Sequence, residues 1–389
     1  MDRRLLTGAL AVLALLPAGP ALPISAVRKS EPKLAHHLAG HSPAGRAARV
    51  TCCGQNPCVA LRRQVDECRN MHSGLFPGDA LNARRVMIVM DAELERWLAS
   101  GEYFDYLGFD IFYRVEGSGP PLLLIHGYPF NSYDWALIWP ALSHRFTVIA
   151  PDMIGMGFSE KPVAYEYSVG DHADMHEALL AHLNIRNAHI LAHDIGDSVG
   201  QELLARHEFG QQTYGALRID SIAWLNGGMF IETYTPRAVQ KLMSRTPLGD
   251  IFSHVQGSPV SRRLLEPTLR ELFGPNTKPT RHMMDVFNQI LDYNDGRRVM
   301  HKVGRFINDR YTHRNRWVRA MRQTAVPMRL IDGPVDPNSG AHMARRYAEV
   351  IPDPDVVMLA DDIGHWPQLE APDAVLTHFL AHIDRITAG

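Results

Sequence analysis

Ile190-Leu191-Ala192-His193-Asp194-Ile195-Gly196-Asp197-Ser198-Val199-Gly200 runs from an apolar strand directly into a helix. A turn of this kind, flanked by small residues, can hold one side chain exposed on strained backbone. Two frames compete for that position. Gly196-x-Ser198-x-Gly200 matches the serine-nucleophile pattern letter for letter. Ser198 would then follow His193-Asp194-Ile195-Gly196-Asp197, which is too polar for a central buried strand. In the other frame Asp194 follows the apolar strand at once, with Ala192 two residues before it and Gly196 two after. Ser198 then lies one helical turn inside the next helix. Strand register decides which residue reaches the turn, and it favours Asp194.

An aspartate nucleophile makes its own demands. Its carboxylate is ionised at neutral pH and attacks saturated carbon without a base. The ester so formed needs a His-activated water, and that histidine needs an orienting carboxylate. Both types lie downstream. Asp332-Gly333-Pro334-Val335-Asp336-Pro337 follows a strand expected at 327–331, and Asp361-Asp362-Ile363-Gly364-His365-Trp366-Pro367-Gln368-Leu369-Glu370 follows one at 355–359. His365, on a Gly-His turn after the last strand, is the base candidate. Asp336 is the orienting acid, because Asp332 comes too early and Asp361 and Asp362 share the histidine's own loop. Upstream, His126-Gly127-Tyr128-Pro129 follows the buried run Leu122-Leu123-Leu124-Ile125. The backbone N–H groups of Tyr128 and Ile195 fit an oxyanion hole, while His126 reads as structural.

The chain around these loops alternates strands and helices. Further strands are expected at 103–107, 110–115, 146–150, 188–192 and 219–225, and helices at 132–142, 169–183, 195–207, 340–350 and 372–387. Short apolar strands alternating with helices give an α/β fold, with a mostly parallel sheet covered on both faces. Residues 229–325 are Arg-rich and strandless, and read as a helical cap insertion over the strand ends, where ligands bind in open α/β sheets. The core is then 85–228 together with 326–389.

The 389 residues carry a net charge of −2, distributed unevenly. Residues 1–70 contain no Phe, Trp or Tyr and hold all four cysteines, Cys52, Cys53, Cys58 and Cys68. Without aromatics there is little with which to build a core, so 27–84 reads as a basic, disordered tail. Asp2-Arg3-Arg4, the apolar run Leu5–Leu16 and the breakers Pro17, Gly19 and Pro20 have the pattern of a signal peptide or anchor over 1–26. If that segment is genuine the protein is exported or membrane-anchored, and membrane contact is confined to it. If translation begins at Met71, Met87 or Met90, the protein is cytoplasmic. The cysteine spacing fits no standard zinc pattern, and neither a metal nor a cofactor is expected. The near-neutral charge gives no reason to expect a nucleic-acid partner.

From about Tyr103 to its end, the chain resembles the α/β-hydrolase fold family in its epoxide hydrolase and haloalkane dehalogenase branch. Within the branch it is most similar to the mesoderm-specific transcript proteins and their bacterial relatives. The residues that carry the resemblance are His193-Asp194-x-Gly196-Asp197 with Gln201-Glu202-Leu203-Leu204, Asn226-Gly227-Gly228, Arg316-Trp317, Gly333-Pro334-x-Asp336-Pro337 and His365-Trp366-Pro367-Gln368-Leu369-Glu370. The resemblance implies a triad of Asp194, Asp336 and His365 under a helical cap, and a small, mainly apolar electrophile as substrate. Dehalogenases of the branch commonly place N–H-bearing side chains where this sequence has Ile195 and Tyr128, so their halide cradle is missing. Epoxide hydrolases need cap tyrosines as general acids, and Tyr234, Tyr293 and Tyr311 are the candidates. Epoxide hydrolysis is therefore expected first. Dehalogenation and a catalytically weak binding or signalling role are the alternatives. Asp197 is bulkier than the small residue usual three after the nucleophile. Two patterns are weaker. His172 and His176 have the spacing of a metal pair but no third ligand motif, and the arginines of 296–322, Arg310 among them, could bind an anionic substrate or a membrane. Both read by default as solvated helix faces, and Trp317 as cap core or a partner for Arg316.

Overall fold

The computed structural model describes residues 90–235 and 259–388. Expectations for 1–26, for 27–84 with its cysteines, and for 236–258 lie outside the described residues. Eight strands form one sheet: β1 (Glu102–Tyr106), β2 (Phe109–Glu116), β3 (Pro121–Ile125), β4 (Thr147–Pro151), β5 (Asn187–His193), β6 (Arg218–Leu225), β7 (Met328–Asp332) and β8 (Val356–Met358). Their order is β1-β2-β4-β3-β5-β6-β7-β8. The β1–β2 and β2–β4 pairs are antiparallel and the rest parallel. Each strand ends within one residue of its expected limits.

The sheet is buried on both faces because successive strand side chains point to opposite sides. Leu123 and Ile125 join one core with α3 (Val169–His182), α4 (Ile195–Phe209) and α9 (Ala341–Val350). Leu122 and Leu124 join another with α1 (Ala92–Ala99), α2 (Trp139–Ser143) and α11 (Pro372–Thr387). The sequence reading missed α1, although Asp91 caps its N-terminus by accepting from the N–H groups of Glu93 and Leu94. The helix expected at 132–142 is instead a 3-10 turn, Ser132–Trp135, followed by α2. Pro140 is the reason: it lacks an N–H for a helix interior but fits the first turn of α2.

Between β6 and β7 the described chain is helical: α5 (Pro259–Leu272), α6 (Arg281–Asp292), a 3-10 turn (Tyr293–Arg298), α7 (Met300–Val303) and α8 (Phe306–Gln323). α8 lies along α4, where the Trp317 indole N–H donates to Glu202 Oε2 at 2.7 Å and Arg316 pairs with the same carboxylate. α10 (Pro367–Glu370) follows the loop after β8. Among the described residues, no helix is long and apolar enough to cross a membrane.

Because β3 stands between β4 and β5, the chain leaves β3 toward one side and later returns on the other. A reversal of this kind opens a crevice at the strands' C-terminal ends, and the loops after β3 and β5 meet there. Gly196 sets how closely they meet. A Cβ on it would lie 2.2 Å from Ile125 O and 3.0 Å from His126 O, both backbone atoms. Gly196→Ala is therefore expected to destabilise the fold by about 2 kcal/mol or more, read as a lower urea midpoint. An unchanged midpoint would contradict the close approach.

Candidate functional site

Asp194 occupies the turn between β5 and α4 at φ 52° and ψ −107°. A non-glycine residue at positive φ is uncommon and costs ~1–3 kcal/mol, so the surroundings must hold it there. The Asp194 N–H donates to Leu225 O at 3.3 Å, and the Tyr128 N–H donates to Asp194 Oδ2 at 3.2 Å. Ile195 begins α4, so its N–H is one of the helix's free N-terminal donors. Ser198 lies inside the first turns of α4, where its hydroxyl accepts from Arg310 Nε at 2.8 Å.

The loops after β7 and β8 bring Asp336 and His365 together. His365 Nδ1 donates to Asp336 Oδ2 at 2.8 Å, and both side chains are buried. Asp336 also accepts from Ser339 Oγ at 2.7 Å, the Asn338 N–H at 2.8 Å and Asn226 Nδ2 at 3.3 Å. Asn226 ties β6 to β7 as well, accepting from the Gly333 N–H at 2.7 Å and donating to Gly333 O at 3.0 Å. Glu370 clamps the histidine loop by accepting from the N–H groups of Gly364 and Trp366, and accepts another from Gly274 beyond α5. His193, next to Asp194, places its Nε2 2.7 Å from His365 O.

Charge follows from this geometry. Burial alone would push the His365 imidazole down. The Asp336 carboxylate, its hydrogen bond and the Asp194 charge outweigh burial and hold the pKa above its usual value. Burial raises the Asp336 carboxyl, but the His365 charge and three hydrogen-bond donors hold it below the usual range. Asp197 and Asp332 are pushed well above the carboxylate range, first by burial and next by the charges of Asp194 and Asp336 respectively. Asp134 is pushed up in the same way, by burial and then by Asp152. His126 is structural: its Nε2 accepts the Met153 N–H at 2.9 Å.

Four expectations need correction. Tyr311 is 63% exposed, because it follows Arg310 by one helical position and turns to solvent. Tyr293 packs edge-on against Phe158 with Lys161 over its ring, and so is committed to packing. Of the three candidate tyrosines only Tyr234 borders the site, its buried ring lying 4.8 Å from the Arg310 guanidinium. The arginines of 296–322 are not all on a solvated face. Arg297 is buried against Asp292 and Asn288, and Arg310 is 1% exposed, with Nη2 3.0 Å from Asp194 O and 3.4 Å from Asp194 Oδ1. His172 and His176 are buried as well, because the same helical spacing puts them beside Val169, Ala173 and Leu179. Burial lowers their pKa values to about 3 and about 4. Among the described residues, no cluster of His, Cys, Asp or Glu could hold a metal.

The chain belongs to the α/β-hydrolase fold family, whose sequence model matches residues 120–372. Its relatives include the mesoderm-specific transcript protein of Mus musculus, 38% identical over 299 residues, which cover 75% of this chain and 88% of that protein. LipZ of Mycobacterium tuberculosis, which carries the name of a hydrolase, is 31% identical over 282 residues, or 72% of this chain and 94% of that protein. The haloalkane dehalogenase DbeA-M1 loop variant from Bradyrhizobium elkanii shares the fold, with a TM-score of 0.62 and 20% identity over 74% of this chain and 98% of that one.

Asp336→Asn removes the charge that opposes burial at His365. The His365 pKa should therefore fall below its value in the unaltered protein, read by NMR titration of the imidazole against a His365→Gln spectrum. An unchanged titration would contradict the pairing.

Proposed function

We propose that the protein is a hydrolase that forms a covalent alkyl ester on Asp194 and cleaves it with water activated by His365. The observation that carries this reading is the Tyr128 N–H bond to Asp194 Oδ2, on a strained turn beside the His365–Asp336 pair. That bond leaves Oδ1 as the attacking oxygen. Its lone pair forms a bond to the substrate carbon while the carbon's bond to the leaving atom breaks, and the leaving atom keeps those electrons. An epoxide oxygen so released takes a proton, whereas a halide departs as the anion. His365 Nε2 then removes a proton from water, and the hydroxide attacks Asp194 Cγ. The negative charge that develops on Oδ2 is received by the N–H groups of Tyr128 and Ile195. Collapse breaks the Cγ–Oδ1 bond, and the leaving oxygen takes the proton held by His365 and departs as the alcohol. The new carboxyl loses its proton to solvent, which restores the carboxylate. Asp336 orients the imidazole and stabilises its charged form.

Epoxide opening is the first reading. The side chains of Tyr128 and Ile195 offer no N–H to a departing halide, and Tyr234 is the cap tyrosine that borders the site. Dehalogenation is the second, supported by fold-level likeness alone.

Without its base, His365→Gln should accumulate the ester. Intact mass after incubation with mixed neutral epoxides should rise by one whole epoxide, and the gain should vanish when Asp194→Asn is added. A rise short by HX with haloalkanes would instead favour dehalogenation. Absence of any adduct, from anionic electrophiles as well as from neutral ones, would contradict the aspartate nucleophile.

The hydrolytic step should also carry an acid limb. His365 acts only when neutral, and its pKa in the free protein lies above the ordinary 6.5, so ester hydrolysis should slow as pH falls through that raised value. Alkylation removes the Asp194 charge that helps raise it, so the limb in single-turnover hydrolysis should lie below the free-protein titration. Coincidence of the two would contradict the coupling.

A further inference from the structure

Among the described residues, Arg310 is the one buried cation that touches Asp194. The sequence alone sets it among eight arginines open to an anionic substrate or a membrane, with a solvated face as the default. Its guanidinium lies against Phe306 and Tyr234, with ring centroids 4.7 and 4.8 Å away. Nε donates to Ser198 Oγ, and Nη2 to Asp194 O at 3.0 Å and to Oδ1 at 3.4 Å. Nη1 is buried with no hydrogen-bond partner among the described residues. It packs against the chain at Gly228, where a Cβ would lie 2.2 Å from Nη1, so only glycine admits the guanidinium there. A buried cationic N–H without an acceptor is rare and costly, and a ligand is one of the few things that explains it.

We propose that Arg310 is a further catalytic residue, binding a carboxylate that the substrate carries on its electrophilic carbon. The proposal rests on Asp194 being the nucleophile, as set out above, and narrows the substrate class to 2-halo and 2,3-epoxy carboxylates.

Two features of the site lead there. The first is position. Tyr128 holds Oδ2, so Oδ1 attacks, and Oδ1 is the oxygen Arg310 faces. The 3.4 Å contact to Oδ1 is long beside the ~2.7–2.9 Å of a good charge-assisted bond, so a carboxylate beside the reacting carbon can replace that one contact while Ser198 and Asp194 O keep the guanidinium in place.

The second is charge. Alkylation neutralises Asp194 and removes the negative partner of Arg310. Asp197 is pushed toward the neutral form chiefly by its burial, against the pull of Arg310, and Asp336 is committed to His365. A neutral substrate would strand a buried guanidinium at the ester stage, which is strongly unfavourable. A substrate carboxylate replaces the lost charge, frees Oδ1 to attack and keeps Arg310 paired until water cleaves the ester. Hydrolysis then restores the Asp194 charge beside the product carboxylate, and their repulsion favours release. The bonds made and broken are those already given: halide departs as the anion, and an epoxide oxygen takes the Tyr234 hydroxyl proton, which the tyrosine recovers from water.

The test compares acids with their neutral amides in full-length His365→Gln: 2-chloropropionate against 2-chloropropionamide, and glycidate against glycidamide. The readout is the rate at which intact mass rises. Each acid should alkylate about 100-fold faster than its amide or more, and adding Arg310→Gln should bring the ratio near one. Arg310→Lys, which keeps the charge but not the planar fork, should retain part of the preference. Propionate should also raise the thermal midpoint of the unaltered protein, with propionamide at equal ionic strength leaving it in place, which tests the site without a variant. Equal rates for acid and amide, or a ratio that Arg310→Gln does not change, would overturn the inference and leave Asp194 as the nucleophile. No adduct from these four or from neutral epoxides would overturn both.

Discussion

The Asp194 turn is the constraint on which the rest of the site depends. A carboxylate can face a substrate from the end of a buried strand only if the chain bends sharply there, and the bend is strained at φ 52°. The sheet supplies the restraint. β5 runs between β3 and β6, buried on both faces, so the strain cannot relax by moving the strand. Gly196 allows the turn to lie against the end of β3, which puts the Tyr128 N–H on Oδ2. The loops after β6, β7 and β8 are bound together by Asn226, Asp336 and His365, and His193 ties that set back to β5. The positions of Asp194, the Tyr128 N–H and the His365 imidazole thus follow from one sheet topology.

The site also manages a crowd of acids. Asp134, Asp194, Asp197, Asp332 and Asp336 are all buried near one another, and five negative charges could not coexist there. Burial and mutual repulsion push Asp134, Asp197 and Asp332 toward the neutral form. Asp336 stays charged because His365 and three other donors face it. Asp194 has Arg310 and the Tyr128 N–H. The departure at Asp197, bulkier than usual for its position, is tolerated because the glycine at 227 leaves it room: a Cβ there would lie 2.1 Å from Asp197 Oδ2.

Much of this was legible in the sequence, for a physical reason. Asp194, Asp336, His365 and Tyr128 each follow a short apolar run, and such runs in an α/β pattern end at the catalytic edge of a sheet. What was not legible depends on which face a helix buries. Eight arginines lie in 296–322, and composition gives each the same solvated reading. Arg310 differs by sharing the helical face of Phe306, Ile307, Trp317 and Met321, all buried against α4. That spacing was the available signal, and it also explains why Tyr311, one residue on, faces water. His172 and His176 were misread in the same way, since a four-residue step fits a metal pair, a solvated stripe and a buried face alike. The break at Pro140 was readable from proline chemistry alone.

The central claim is that Asp194 donates an oxygen to the product and recovers one from water. One turnover of the unaltered protein, in excess over whichever electrophile alkylates His365→Gln, should be run in water labelled with heavy oxygen. Mass spectrometry of the Asp194 peptide and of the product then locates the label. The account predicts one heavy oxygen in the Asp194 carboxylate and an unlabelled product hydroxyl. Label in the product of that first turnover, with none in the peptide, would mean that water attacks the substrate directly and would contradict the account.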